Sequence, residues 1–133
     1  EHLVPLAIDE FPVLFVAAAC ADGETVVTGA EELRVKESDR LAVMSDGLKA
    51  LGITHTMQHD GMTIAGRGAG VQAVFSGGEV ASHGDHRIAM ACAVAGLQAD
   101  GETIIEDAGA VNKSYPGFYH DLKLLNANVS LPE

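Results

Sequence analysis

The pentapeptide Ala-Asp-Gly-Glu-Thr occurs twice, at 21–25 and 99–103, and each copy closes a run that is apolar on nearly every face. The runs are Phe11 to Ala21 and Ile88 to Leu97. A helix that is hydrophobic all round has to be buried on all sides. Neither run approaches the roughly 20 residues that a membrane span needs. A chain carrying two such helices must therefore wrap them in its own polar elements. Both copies repeat the same grammar. Asp9 and Asp85 stand where an N-cap belongs, able to accept the first free amide hydrogens. Pro12 suits a first helical turn. The Asp-Gly pairs end the helices, with Gly23 and Gly101 free to turn left-handed. Short β-branched strands follow, Thr25 to Thr28 and Thr103 to Ile105.

A second, amphipathic helix closes each unit. From Ser38 to Leu51, the residues Leu41, Met44, Leu48 and Leu51 recur at helical spacing, and Gly52 stops the run. From Ser114 to Leu125 the stripe is Phe118, Leu122 and Leu125, with Pro116 in the first turn. Ile53 to Gln58, the turn Asp60-Gly61 and Met62 to Ala65 spell a hairpin, and Val71 to Phe75 a further strand. The repeat units cover approximately 1–80 and 81–133. Their spacing, roughly 80 residues, exceeds ordinary solenoid periods, so they are units within one domain. The expected architecture is α/β with apolar helices inside and strands outside, the reverse of the usual layering. The chain of 133 residues starts at Glu1 rather than Met, and it is expected to be a portion of a longer or processed protein. It shows no charged-then-apolar leader.

The formal charge of -11 argues against nucleic acid and anionic membranes as partners. A small anionic ligand remains compatible, because local charge can oppose the total. Cys20 and Cys92 lie inside the apolar runs with no motif around them, as reduced, buried thiols of a cytoplasmic protein would.

The cations are few, and their placement is informative. Of eight basic residues, five (Arg34, Lys36, Arg40, Arg87 and Lys113) fall at expected helix starts, where a cation opposes the helix dipole. An anion bound at the same place would account for them. For the segment Arg34 to Arg40, with Glu37 and Asp39 interleaved, two readings stay open. One is a solvated, capped helix start with local ion pairs; the other is an anion site. Arg87 opens an apolar helix and needs a partner. It either pairs with a protein carboxylate or waits for a substrate carboxylate or phosphate, which its planar fork grips with two bonds. His83 and His86 lack a third ligand, so metal is not expected. Together the cations point to a multiply anionic ligand.

The nonapeptide Leu33-Arg34-Val35-Lys36-Glu37-Ser38-Asp39-Arg40-Leu41 resembles a signature of the 5-enolpyruvylshikimate-3-phosphate (EPSP) synthases. Asp85 to Met90 resembles their second signature, and Ile8 to Pro12 and Lys113 to Pro116 are similar to two further positions. The wording Glu31 to Ser38 is closer to the bacterial class that tolerates glyphosate. The resemblance spans essentially the whole chain. It implies an inside-out barrel of repeated βαβαββ units with buried parallel helices, of which about two C-terminal units are present. It also implies transfer of the enolpyruvyl group of phosphoenolpyruvate to the 5-hydroxyl of shikimate 3-phosphate, with no metal or organic cofactor. Carried over by motif, Asp9 takes the hydroxyl proton and Glu37 moves protons on the methylene carbon. Lys36 meets the ring hydroxyls and the reacting oxygen. Arg40 and Arg87 hold the carboxylate of phosphoenolpyruvate, Lys113 neutralises its phosphate, and His86 supports them. Glu32 departs from the Asn that many members carry there. The resemblance implies a missing N-terminal domain that completes the site, an inactive isolated chain, and exposed apolar surface favouring self-association. Two competing readings are enolpyruvyl transfer to UDP-N-acetylglucosamine and a non-catalytic domain that has kept the fold.

Overall fold

The chain alternates helix and strand in the repeated order that its sequence announces. The computed structural model describes residues 3–68 and 70–131. In chain order the elements are α1 (Val4–Ala7), α2 (Phe11–Cys20), β1 (Glu24–Val27), α3 (Arg40–Ala50), β2 (His55–Gln58), β3 (Gly61–Ala65), β4 (Gly78–Ala81), α4 (His86–Gly96), β5 (Thr103–Glu106) and α5 (Phe118–Leu124). Short 3-10 turns cover Ile8–Glu10, Glu31–Val35 and Ala108–Lys113. Helix, strand, 3-10 turn and helix thus follow one another twice, once from α2 to α3 and once from α4 to α5.

Two small sheets flank the helices. One is antiparallel, in the order β1-β3-β2, and the other pairs β4 and β5 in parallel. The expected hairpin forms, with Gln58 facing Gly61 across the turn. Gly61 is required there: a Cβ would lie 1.8 Å from the Val27 carbonyl oxygen of β1. α2 packs on α4 and β3, while α3 packs on α4, β2 and β4. The core between them holds Phe15, Leu41, Met44, Leu48, Met62, Ile64 and Ile88, all buried. Each such side chain contributes about 1.5–3 kcal/mol through burial. The stripe read for α3 is the one that faces inward.

Five expectations need correction. Val71 to Phe75 is not a strand: Phe75 makes one isolated bridge to Ala99, and the amides of Val74 and Phe75 both bond the Gln98 carbonyl. These two residues act as core anchors rather than as part of a ladder. The last helix begins at Phe118, not Ser114, because the residue before Pro116 disfavours helical geometry. Gly23 is left-handed (φ 81°), whereas Gly101 is not among the positive-φ glycines. Asp9 does not cap α2: it sits in the 3-10 turn, and Glu10 precedes the helix without a side-chain cap bond. Finally, α2 is not enclosed. Val13 and Leu14 are 39 % and 43 % exposed, so one face of a wholly apolar helix stays open.

Both cysteines are free. Cys92 is buried, and burial pushes its thiol up to about 11; the half-buried Cys20 is raised for the same reason. Among the described residues, no helix is long and apolar enough to cross a membrane.

Candidate active site

The segment Lys36 to Asp39 hands the chain from a 3-10 turn to α3, and Asp39 starts that helix by accepting the Ala42 amide. Such a cap contributes about 1 kcal/mol. Arg40, the first helical residue, turns inward and is only 1 % exposed. A buried guanidinium demands carboxylates, and three converge on it. Its Nε donates to Asp85 Oδ2 at 2.9 Å and its Nη2 to Asp85 Oδ1 at 3.3 Å. Nη2 also donates to Glu37 at 2.5 Å, and Nη1 to Asp9 at 3.1 Å. Lys36 approaches Asp9 at 4.0 Å and Glu32 at 3.5 Å. Asp9, Lys36, Glu37 and Arg40 therefore form one connected polar network.

The partners of Arg40 differ in kind. Asp85 is fully buried, whereas the side chains of Asp9 and Glu37 are 51 % and 50 % exposed. Burial alone would lower the Arg40 pKa, but the hydrogen bond and charge of Asp85, helped by Glu37 and Asp9, leave it raised. Burial likewise pushes Asp85 up, and the bonds from Arg40 and Ser38, with the Arg40 charge and the Arg87 amide, bring it below the ordinary carboxylate value.

A depressed folded pKa gives stability that is present above the unfolded value, about 3.9, and is lost as pH falls through the folded value. Urea midpoints are therefore expected to hold between pH 7 and 5 and to drop below about pH 4. In Asp85→Asn, that part of the acid dependence should disappear.

The second repeat supplies the facing edge. α4 starts at Asp85, whose side chain accepts the Arg87 amide. Arg87 pairs with Glu10 at 3.0 Å, and His86 Nδ1 bonds Ser114 Oγ at 2.5 Å. The Lys113 ammonium donates to the Gly84 carbonyl, tying the end of a 3-10 turn to the loop before α4. A groove of about 250 Å³ runs between α2 and α4, with Asp9, Glu10 and Arg87 beside a floor that includes Val13, Met90 and Val94. A wider depression of about 610 Å³, beside Arg67, Gln72 and Asp100, contains none of these groups.

Several placements depart from the sequence reading. Only Arg40 and Arg87 begin α-helices; Arg34, Lys36 and Lys113 lie at or just past the ends of 3-10 turns. Arg34 is structural. It donates to the Gln58 and His59 carbonyls and pairs with Asp39, bracing the hairpin turn. Of the two readings for Arg87, the structure shows the pairing with a protein carboxylate, Glu10, and Glu32 accepts from Lys36. Asp85, Ser38 and Ser114 were not singled out for the site. The signal for Asp85 was its place opening an apolar helix beside a cation; nothing in the spacing marked either serine.

Glu37, Asp85 and His86 each offer a ligand atom within 4.8 Å of the others. Arg40 already bonds both carboxylates, so a metal ion there would face a guanidinium.

The sequence profile of EPSP synthase (3-phosphoshikimate 1-carboxyvinyltransferase) matches residues 1–122. The chain belongs to the EPSP synthase family. The 3-phosphoshikimate 1-carboxyvinyltransferase of Alkalilimnicola ehrlichii is 64 % identical over 118 residues, 89 % of this chain and 25 % of that protein. The enzyme of the same name from Halorhodospira halophila is 56 % identical over 131 residues, 98 % of this chain and 28 % of its own. A solved EPSP synthase from Acinetobacter baumannii superposes with a TM-score of 0.87 at 54 % identity, covering 91 % of this chain and 28 % of that one. The superposed part of the chain therefore shares the EPSP synthase fold, and the chain spans little more than a quarter of the relatives it matches. Asp9, Lys36, Glu37, Arg40, His86, Arg87 and Lys113 all fall inside the segment matched by the EPSP synthase profile.

Proposed function

We propose that this chain is part of a 3-phosphoshikimate 1-carboxyvinyltransferase and carries one wall of its active site. The reaction joins the 5-oxygen of shikimate 3-phosphate to the carbon of phosphoenolpyruvate that bears phosphate. The phosphate leaves with its bridging oxygen, and the enol double bond is restored. One group must take the hydroxyl proton, and another must deliver and later remove a proton at the methylene carbon. Asp9 serves as the first and Glu37 as the second. Lys36 meets the reacting oxygen and ring hydroxyls, Arg40 and Arg87 hold the substrate carboxylate, Lys113 faces the phosphate, and His86 supports them. Neither a metal nor an organic cofactor enters this scheme.

The observation that carries the reading is the network itself: Arg40 is bonded to Asp9 and Glu37, two half-exposed carboxylates that reach solvent. In the resting chain they occupy the N–H groups that an anionic substrate would claim. Fixed cations in a water-poor cleft stabilise developing negative charge without reorganising.

The remaining wall comes, in this proposal, from the N-terminal domain of the same enzyme. The units 1–80 and 81–133 are two repeats of an inside-out barrel whose helices α2 to α4 face inward. The open face of α2, with Val13 and Leu14, is where further chain would pack, and in isolation that face favours self-association. A cytoplasmic location fits the free cysteines.

Titration with phosphoenolpyruvate and shikimate 3-phosphate tests the division of the site. The isolated chain is expected to give no resolvable heat and to sediment partly as oligomers. Mixing with the separately expressed N-terminal portion should restore binding, and Arg87→Ala should remove it. Tight binding by the isolated chain would contradict the two-wall scheme.

A further inference from the structure

We infer that Asp85 is the positioning residue of the site: it fixes the direction of Arg40 and ties the first turn of α4, which bears Arg87, to the start of α3. The inference rests on the function proposed above and deepens it. Asp85 is fully buried and uses both oxygens. Oδ2 accepts from Arg40 Nε at 2.9 Å and from Ser38 Oγ at 2.7 Å. Oδ1 accepts the Arg87 amide at 3.0 Å and Arg40 Nη2 at 3.3 Å. One carboxylate thus joins three points, the segment before α3, the first residue of α3 and the first turn of α4.

The geometry divides the guanidinium in two. Its Nε edge is committed to Asp85 in a dry setting, where an uncompensated charge is costly. Its outer edge is left to Asp9 and Glu37, whose side chains reach solvent. An anionic substrate can displace those two but not Asp85. Because the guanidinium is a rigid plane, holding one edge sets where the other points. Ser38 keeps Asp85 Oδ2 in line with Nε. Asp85 touches no substrate in this arrangement and acts only through Arg40 and the α4 start.

The test uses the complete enzyme and two variants. Asp85→Asn is the direct one, but it removes the charge facing a buried arginine and costs stability as well. Ser38→Ala keeps that charge and removes one hydrogen bond. If Asp85 positions Arg40, Ser38→Ala is expected to raise the KM for phosphoenolpyruvate about tenfold, the size of a lost bond to a charged group. The KM for shikimate 3-phosphate should stay close to wild type, and the melting temperature should fall only by the few degrees that one lost part-buried hydrogen bond costs. Asp85→Asn, where folded, should shift the same KM further in the same direction. Unchanged KM values in Ser38→Ala, or a parallel rise for both substrates, would overturn the inference while wild-type turnover left the proposed function standing. Absence of wild-type turnover would overturn both.

Discussion

Arg40→Met is expected to destabilise the chain by about 3–5 kcal/mol, the cost of leaving a buried charge without its partner. The methionine fills much of the same volume, so the loss would not come from a cavity. It would come from Asp85, which has no access to water and would keep only the Ser38 hydroxyl and the Arg87 amide. Against a total stability of about 5–15 kcal/mol for a natural domain, this is enough to unfold a large share of molecules at moderate temperature. Arg34→Ala provides the contrast. Two of its three bonds go to exposed carbonyls at the hairpin turn, and its ion pair with Asp39 is open to solvent on the carboxylate side, a setting in which such a pair contributes about 0–1 kcal/mol. Urea midpoints for the two variants would separate the roles. Equal, small shifts would mean that the Arg40–Asp85 pair is not dry.

Lys36→Met is expected to reverse that pattern, with a large effect on rate and little on stability. Lys36 makes two long contacts, to Asp9 at 4.0 Å and Glu32 at 3.5 Å, both half-exposed carboxylates. Losing them should change folding by no more than about 0.5 kcal/mol, as for most surface substitutions. If the ammonium meets the oxygen at which charge develops, its removal should lower kcat of the complete enzyme by about 10²–10³-fold. Methionine keeps the length and apolar stem of lysine, which makes the comparison one of charge. A kcat within a few-fold of wild type would take Lys36 out of the reacting centre.

Much of this was legible in the sequence because the chain states it twice. The shared pentapeptide marked where apolar helix gives way to strand, and both joints are there in β1 and β5. The inward stripe of α3 followed from helical spacing alone. Legibility failed where a tertiary demand overrode a local one. Asp9 looks like a helix cap, yet the buried cation of Arg40, 31 positions away, claims it. Val71 to Phe75 has strand-like residues, but the amides of Val74 and Phe75 share one carbonyl, that of Gln98, and no ladder forms. Of the cations read as helix-start residues, Lys36 and Lys113 stand instead at the C-terminal ends of 3-10 turns, and Arg34 braces the hairpin. The link between Ser38 and Asp85 spans 47 positions and leaves no periodic trace.

The most direct test of the central claim is phosphate release by the complete protein given phosphoenolpyruvate and shikimate 3-phosphate. The account predicts release that requires both substrates, matches the enolpyruvyl product one for one, and is lost with UDP-N-acetylglucosamine as acceptor. Release without shikimate 3-phosphate, equal use of the nucleotide sugar, or no release from a folded protein would contradict it.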